Sequence, residues 1–368
     1  MAPIVPIVMP KWGLSMKEGQ VVEVLVAEGD QLAVGDDLIE VDTDKISGIV
    51  EATAAGMLRR LVAEVGRTYP VKGLLGVVAD ESVGDDDIDA FVAGYAVPSA
   101  AEDEAEASAY HTIDVDGIMV RYGRLGGGER TVLLIHGYGG DLDNWLFTTT
   151  ALAEGFDVVA LDLPGHGQSA IFLPGETVAD LARFVERFCE VLALGRVDVV
   201  GHSLGGAIAA RLAIDHPDRV ERLALIAPVG LGPEINTGYL DGFASARSRR
   251  DLKAVLAELY TDQTHVSREM VDQVLRYIRL DGVPQLLARL RAGITADDVQ
   301  ADQPVLDLDP AQVPLLVMWG SADRVVPAAH AAAAPAGAEV VVLEGGGHMV
   351  QIERPGQVNA TLARHLRR

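Results

Sequence analysis

The chain has 368 residues, 49% of them apolar, and a formal net charge of −24. That apolar content excludes global disorder, and the length allows two domains or one large one. The negative charge excludes nucleic acid and anionic membrane surfaces as partners. The single cysteine, Cys189, cannot form an internal disulfide and sits in an apolar helical pattern, so it reads as a buried, inert thiol in a reducing compartment. Residues 1–10 carry three prolines and no basic run, and no stretch approaches the ~18 apolar residues of a membrane span. A cytoplasmic protein with no membrane segment and no metal site is expected.

The first eighty residues contain an internal repeat. Leu25-Val26-Ala27-Glu28 recurs as Leu61-Val62-Ala63-Glu64, Gly19 matches Gly56, Gly29 matches Gly66, and Leu38 matches Leu75. Alternating Val22, Val24 and Val26 predict half-buried strands, and glycines punctuate the turns. Two similar β units of this kind predict a small flattened barrel with internal pseudo-symmetry. The crossover between them carries Asp42-Thr43-Asp44-Lys45-Ile46-Ser47, and Lys45 is one of only five lysines in the chain. Read alone, it is a turn lysine beside acidic residues.

Residues 3–83 resemble the lipoyl domains of 2-oxoacid and acetoin dehydrogenase complexes. Met9-Pro10-Lys11-Trp12-Gly13 is similar to the family's opening, and Asp44-Lys45 to its modification site. The related biotinyl domains flank their lysine with methionines, which are missing here. The resemblance implies an all-β lipoyl-binding domain over 1–83, with lipoate attached covalently to Lys45. A tethered acyl carrier raises the local concentration of its cargo to the order of mM.

Residues 80–106 hold ten acidic residues and no basic one. This predicts an acidic, Ala-rich linker over 84–110, with a short apolar piece, 88–95, able to pack back on a neighbour.

From residue 111 strands alternate with helices. Apolar strands are predicted at 131–135, 157–161, 197–200, 222–227, 314–319 and 339–343. Helices are predicted at 178–194, 204–216, 327–334 and 355–366. This pattern implies a mostly parallel sheet covered on both faces, with chemistry at the carboxyl ends of its strands. Residues 230–303 interrupt the alternation and read as helices at 251–260, 267–280 and 283–292. Three sequences at strand ends are informative: His136-Gly137-Tyr138-Gly139-Gly140, the turn-rich 162–169, and Gly201-His202-Ser203-Leu204-Gly205. The last has a serine between a strand and a helix with glycines two residues either side, the nucleophile-elbow pattern.

The three together, in this order, resemble the α/β-hydrolase family over 111–368, with 230–303 as its helical cap. The family's chain order of serine, acid and histidine then implies Ser203 as nucleophile, Asp323 after the strand 314–319, and His348 after the strand 339–343. It also implies an oxyanion hole from the backbone N–H groups of Tyr138 and Leu204. Asp307 and Asp309 are rival acids, but they precede their strand. His136, His166 and His202 lie in the same motifs; for His166 and His202 a structural hydrogen-bonding role is expected. Arg247, Arg249 and Arg250 read either as solvated surface charges or as contacts for an anionic ligand such as a nucleotide phosphate.

The fusion of the two parts resembles the dihydrolipoamide acetyltransferase component of bacterial acetoin dehydrogenase complexes. That resemblance implies acetyl transfer from the lipoyl group on Lys45 through Ser203 to coenzyme A. It also implies two partners, a thiamine-diphosphate-dependent acetoin-cleaving component and a dihydrolipoamide dehydrogenase. The sequence departs from the usual acyltransferases of such complexes, with no His-x-x-x-Asp-Gly pattern and no evident peripheral-subunit-binding domain. Two alternatives stand beside the transferase: a serine hydrolase with an accessory lipoyl domain, and a non-catalytic acyl carrier.

Overall fold

The computed structural model describes residues 4–10, 12, 16–43, 47–80, 82–97 and 110–368. The chain folds as two compact units, 1–108 and 109–368.

The first unit contains two four-stranded antiparallel sheets. One is built from β1 (Val5–Val8), β8 (Leu74–Ala79), β6 (Gly56–Leu61) and β3 (Gln31–Leu32), in that order. The other runs β5 (Ser47–Glu51), β4 (Asp37–Asp42), β2 (Glu18–Val24) and β7 (Thr68–Pro70). The sequence repeat has a physical expression in the hydrogen bonds. Gly29 N–H donates to the Leu58 carbonyl at 2.8 Å, and its repeat partner Gly66 donates to the carbonyl of Val21 at 2.7 Å. Val21 and Leu58 are themselves repeat partners, so each half closes its turn on the other half's strand. Leu38 and Leu75 are both fully buried. The predicted alternation in β2 is shifted at one point: Val24 and Val26 are half-buried, but Val22 is exposed and Val21 is buried. A register irregularity between Val21 and Glu23 turns the strand over there, as a bulge does.

Strands β4 and β5 pair with Asp42 opposite Ser47, and the Ser47 hydroxyl donates to the Asp42 carboxylate. Asp44, Lys45 and Ile46 lie outside the described residues.

Part of the stretch predicted as linker is ordered. Asp85–Gly94 is a helix whose first turn holds Asp85, Asp86 and Asp87, where carboxylates offset the partial positive charge of the free N–H groups. Its Ile88 is fully buried against Leu74, Val77 and Ala79 of β8. Arg59 bridges to Asp85 at 2.8 Å, and the Tyr95 hydroxyl donates to the Lys72 carbonyl. The apolar spacing of Ile88, Phe91, Val92 and Tyr95 outweighs the self-repulsion of the aspartates once such a surface is available.

The second unit is organised by an eight-stranded sheet. Its strands are β9 (Tyr110–Val115), β10 (Ile118–Gly126), β11 (Thr131–Ile135), β12 (Asp157–Leu161), β13 (Val197–His202), β14 (Val220–Ile226), β17 (Leu315–Gly320) and β18 (Glu339–Leu343). The spatial order is β18-β17-β14-β13-β11-β12-β10-β9. Strands β11 to β14, β17 and β18 pair in parallel, and β9 and β10 add an antiparallel edge. Both faces are covered from β11 to β17, which is why those parallel strands read as continuous apolar runs, while the edge strand β18 leaves Val340 and Val342 exposed. Trp145, Leu152, Val358 and Leu362 pack on one set of strand residues that includes Leu134, Val200 and Met318. The alternate set, Leu133, Val199 and Val317, is equally buried. The chain leaves β11 for β12 on one side and returns to β13 on the other, so the carboxyl ends of β11 and β13 flank a topological switch point.

The region 230–303 contains helices Thr237–Ser245, Arg249–Leu256, Arg268–Ile278 and Val283–Ile294, followed by the short pair β15 (Thr295–Ala296) and β16 (Val299–Gln300). The first of these helices and that strand pair were not anticipated in the sequence. The segment predicted as a helix over 327–334 is a 3₁₀ turn, Ala328–Ala333, opened by Pro327.

Candidate active site

Ser203 stands between β13 and the helix Leu204–Asp215 with φ 55° and ψ −120°. This conformation costs a non-glycine residue of order 1–3 kcal/mol and persists only where the surroundings fix it. Here they do. The Ser203 N–H donates to the Ile226 carbonyl, and its carbonyl accepts from Gly206 and Val229. The elbow also needs missing side chains. A Cβ on Gly205 would lie 2.1 Å from the Ile135 carbonyl oxygen, and one on Gly137 would lie 2.9 Å from Ser203 Cβ. Glycines therefore let the loop after β11 close on the serine.

That loop and the helix start leave two N–H groups free. Among the described residues neither the Tyr138 nor the Leu204 N–H donates to another protein group. The Leu204 N–H belongs to the first turn of its helix, where donors have no intrahelical partner. Both residues line one cavity with Ser203 and His348.

His348 follows β18 and is 2% exposed at its side chain. Its Nδ1–H donates to Asp323 Oδ2 at 2.7 Å. Asp323 follows β17, as the strand order implied. Its Oδ1 accepts from the Val325 and Val326 N–H groups at 2.8 and 3.0 Å, and its Oδ2 also accepts from Trp319 Nε1 at 3.1 Å. Four donors thus hold the carboxylate. Asp307 and Asp309 are exposed, and Asp309 spends its carboxylate on Ala311 and Gln312.

The three other histidines of these motifs, His136, His166 and His202, bond within the protein. His136 Nδ1–H donates to the Gly137 carbonyl, and its Nε2 accepts from Leu163 N–H at 2.9 Å, joining the loops after β11 and β12. Burial, with the nearby His166 adding to it, pushes its pKa down to about 3. His166 donates to the Pro164 carbonyl, and burial lowers it to about 4. His202 Nε2–H donates to the backbone carbonyl of His348 at 3.0 Å, and burial holds it neutral. Cys189 is fully buried, and burial pushes its thiol up to about 12.

The cavity around Ser203 is narrow, about 90 Å³, and its walls are largely apolar, including Leu240, Phe243, Leu256, Met270 and Val274 from the cap.

Comparison with known proteins matches residues 130–355 to the alpha/beta hydrolase fold and residues 5–77 to a family described as biotin-requiring enzymes. Among curated proteins, the dihydrolipoyllysine-residue acetyltransferase component of the acetoin cleaving system of Cupriavidus necator is 53% identical over 99% of this chain and 97% of its own length. The protein of the same description from Pseudomonas putida is 42% identical over the whole of both chains.

This chain belongs to their family.

Among solved structures, a bacterial membrane phospholipase A aligns with 70% of this chain and 85% of its own at 28% identity, with a TM-score of 0.61. A meta-cleavage product hydrolase from Pseudomonas fluorescens aligns with 70% of this chain and 97% of its own at 21% identity and a TM-score of 0.62, a likeness of fold. As a component of an acetoin cleaving system, a member of this family works in a complex with other components. No helix among the described residues is long and apolar enough to cross a membrane.

In this family member, several residues that support the site carry no motif. Glu353, buried five positions beyond His348, is the clearest. Its Oε1 accepts from the Thr261 N–H and hydroxyl at 2.6 and 2.7 Å, and its Oε2 accepts from the Gly347 N–H. One carboxylate therefore joins the cap to the loop that bears His348. Arg324, next to the acid, donates to the Ala257 and Tyr260 carbonyls of the same cap segment. The Tyr138 hydroxyl donates to the Leu287 carbonyl at 3.1 Å, tying the loop after β11 to the cap as well. In the sequence only the closeness of Glu353 and Arg324 to the two triad positions hinted at this.

Proposed function

We propose that the chain transfers acetyl from a lipoyl group on Lys45 to coenzyme A through an acyl-Ser203 intermediate. The observation that carries this is the strained Ser203 in one cavity with an Asp323-bonded His348, on the same chain as a lipoyl-type barrel. Attachment of lipoate as an amide needs a primary amine. Lys45 is such an amine, and in sequence it falls between β4 and β5. When bound, the lipoyl group supplies a thiol that carries acetyl as a thioester.

His348 Nε2 takes the proton of Ser203 as the oxygen adds to the thioester carbonyl. Asp323 holds the Nδ1–H tautomer and steadies the imidazolium. The carbonyl oxygen, now negative, is held by the N–H groups of Tyr138 and Leu204; one such donor contributes roughly 2.7–4 kcal/mol to the transition state. The carbon–sulfur bond breaks, His348 returns the proton to the leaving thiol, and acetyl stays on Ser203. The thiol of coenzyme A then gives its proton to His348 and adds to the acyl carbon, and Ser203 leaves with that proton. The narrow apolar cavity supports a thiol acceptor over water. The partners of this reading are a thiamine-diphosphate-dependent component that cleaves acetoin and a dihydrolipoamide dehydrogenase that reoxidises the dithiol, in the cytoplasm.

The test uses full-length protein lipoylated during expression, reduced and acetylated on the arm. Acetyl is followed with and without coenzyme A. Acetyl-CoA formation that needs both Lys45 and Ser203 supports the transferase. Acetate released at the same rate without coenzyme A establishes a hydrolase, and transfer that survives Ser203→Ala establishes a carrier.

A further inference from the structure

The cap carries a second cleft. It is lined by Arg247, Arg249, Arg250, Arg276 and Arg279 with a single carboxylate, Asp272, and has a volume of about 500 Å³. In a chain of 54 acidic and 30 basic residues, five arginines converging on one cleft run against the overall charge. We propose that this cleft binds the phosphorylated nucleotide end of coenzyme A, an inference that rests on acetyl transfer to that acceptor at Ser203.

Three observations lead there. First, the Ser203 cavity cannot hold the whole acceptor. It is about 90 Å³ and no lysine or arginine lines it, so it suits an acetyl group and a thiol chain but not a charged nucleotide. Second, the guanidinium groups in the cleft are partly fixed and partly free. Arg249 is held by Asp272, with an Nη2–Oδ2 contact of 2.9 Å. Arg279 donates to the Arg247 carbonyl, and Arg247 to the Ala246 carbonyl, both at 2.9 Å. Arg250 and Arg276 make no hydrogen bond or close ion pair among the described residues. Fixed groups shape the walls, and free planar forks are suited to paired contacts with phosphate oxygens. Third, the cleft and the cavity share their helices. Arg268–Ile278 gives Met270 and Val274 to the Ser203 cavity and Arg276 to the cleft, while Arg249–Leu256 gives Leu256 to the former and Arg250 to the latter. Along that second helix Arg250 and Leu256 are about 9 Å apart at 1.5 Å per residue. A ligand with a polyanionic head and a long flexible thiol arm matches this pairing of a charged cleft with a narrow apolar one. The acidic first domain is the other anion at hand, but a concave cleft of this size fits a small ligand rather than the convex side of a folded barrel.

The experiment measures acetyl transfer from a free ester, 4-nitrophenyl acetate, by the full-length chain to two acceptors, coenzyme A and pantetheine. Pantetheine has the same thiol arm and no phosphate. In the double variant Arg250→Glu/Arg276→Glu the KM for coenzyme A is expected to rise at least tenfold while the KM for pantetheine moves less than twofold. Their ratio is read within each preparation, so partial misfolding leaves it unchanged. An unchanged ratio overturns the proposal. So does a variant that loses only transfer from its own lipoyl arm, which would give the cleft to the first domain. Calorimetric binding of adenosine 3′-phosphate 5′-diphosphate to the wild-type chain is the arm independent of transfer. If acetyl reaches only water, the transferase reading fails. Nucleotide binding abolished by the double variant still supports the cleft, and no binding to wild type overturns it.

Discussion

In the first domain the proposed carrier residue, Lys45, falls in sequence between two strands that pair with Asp42 opposite Ser47. In the second, the candidate site gathers Tyr138, Ser203, Asp323 and His348 from four loops spread over some two hundred residues, and each is held by buried hydrogen bonds. The contrast teaches what each chemistry requires. A carrier needs reach and tolerance, so one lysine on a small domain suffices. A nucleophile needs its base, its acid and its oxyanion donors fixed before the substrate arrives, so the site draws on a sheet with two covered faces and a cap.

The sharpest way to break this comparison is to remove the reacting group on each side. Ser203→Ala is expected to lower kcat for a small acetyl ester by about 10⁶-fold, as in serine enzymes whose triad acts as a unit. Lys45→Arg is expected to abolish transfer from the arm, while cleavage of a free ester, which does not pass through the first domain, continues. Loss of both activities in a folded Lys45→Arg protein would contradict a division of labour between two modules. Next in size is Asp323→Asn. An amide in place of the carboxylate favours the wrong imidazole tautomer, and kcat is expected to fall by about 10⁴-fold with KM little changed. Steady-state kinetics on the same ester checks both.

The same contrast governs how much was readable beforehand. Strand runs such as 131–135 and 157–161 were legible to the residue, because strands buried on both faces leave an unbroken apolar signature. Ser203 and Asp323 each follow a strand of that kind, and His348 follows the half-exposed β18, in the order that the α/β-hydrolase resemblance implies. In the first domain the repeat was visible, but the inward face of β2 was not, because a bulge between Val21 and Glu23 exchanges Val22 for Val21. The helix Thr237–Ser245 escaped because its N-cap, Asn236, is followed by two glycines and no strong apolar stripe. Glu353 escaped because its role is to accept hydrogen bonds from backbone far away in sequence, which leaves no local pattern.

The fourth prediction separates the domains by acid. All nine histidines lie beyond residue 110. Burial lowers His136 to about 3 and His166 to about 4, and it depresses His202 as well. Each is neutral in the fold and takes up a proton on unfolding below its ordinary value of about 6.5. A depressed folded pKa contributes stability that is present above the unfolded value and is lost as pH falls towards the folded one. Between about pH 6.5 and 5 His136 and His166 are each expected to cost the second domain about 2 kcal/mol, and the first domain loses nothing by this route. Calorimetry over this range is expected to show the second domain's transition falling while the first domain's is spared this contribution. In His166→Gln the slope of stability against pH is expected to shrink by one proton. An unchanged slope would mean that His166 is not held neutral by burial.

The smallest expected effect tests whether the cap belongs to the catalytic unit or merely covers it. Glu353 accepts on both oxygens, with Thr261 and Asp262 of the cap on one and Gly347, beside His348, on the other. In Glu353→Gln one oxygen becomes an NH₂ group, and whichever way the amide turns, a donor faces a donor. Leaving a buried donor unmet costs about 1–3 kcal/mol. If the amide oxygen stays with the cap, the Gly347 N–H loses its partner and the His348 loop loosens. If it turns to Gly347, the cap segment is released while the histidine stays in place. The first outcome lowers kcat about tenfold at constant KM, and the second raises KM for an ester that fills the cavity. A thermal shift with neither kinetic change would leave Glu353 as a stabilising contact only, and the cap would then stand with the first domain, outside the machinery that prepares the serine.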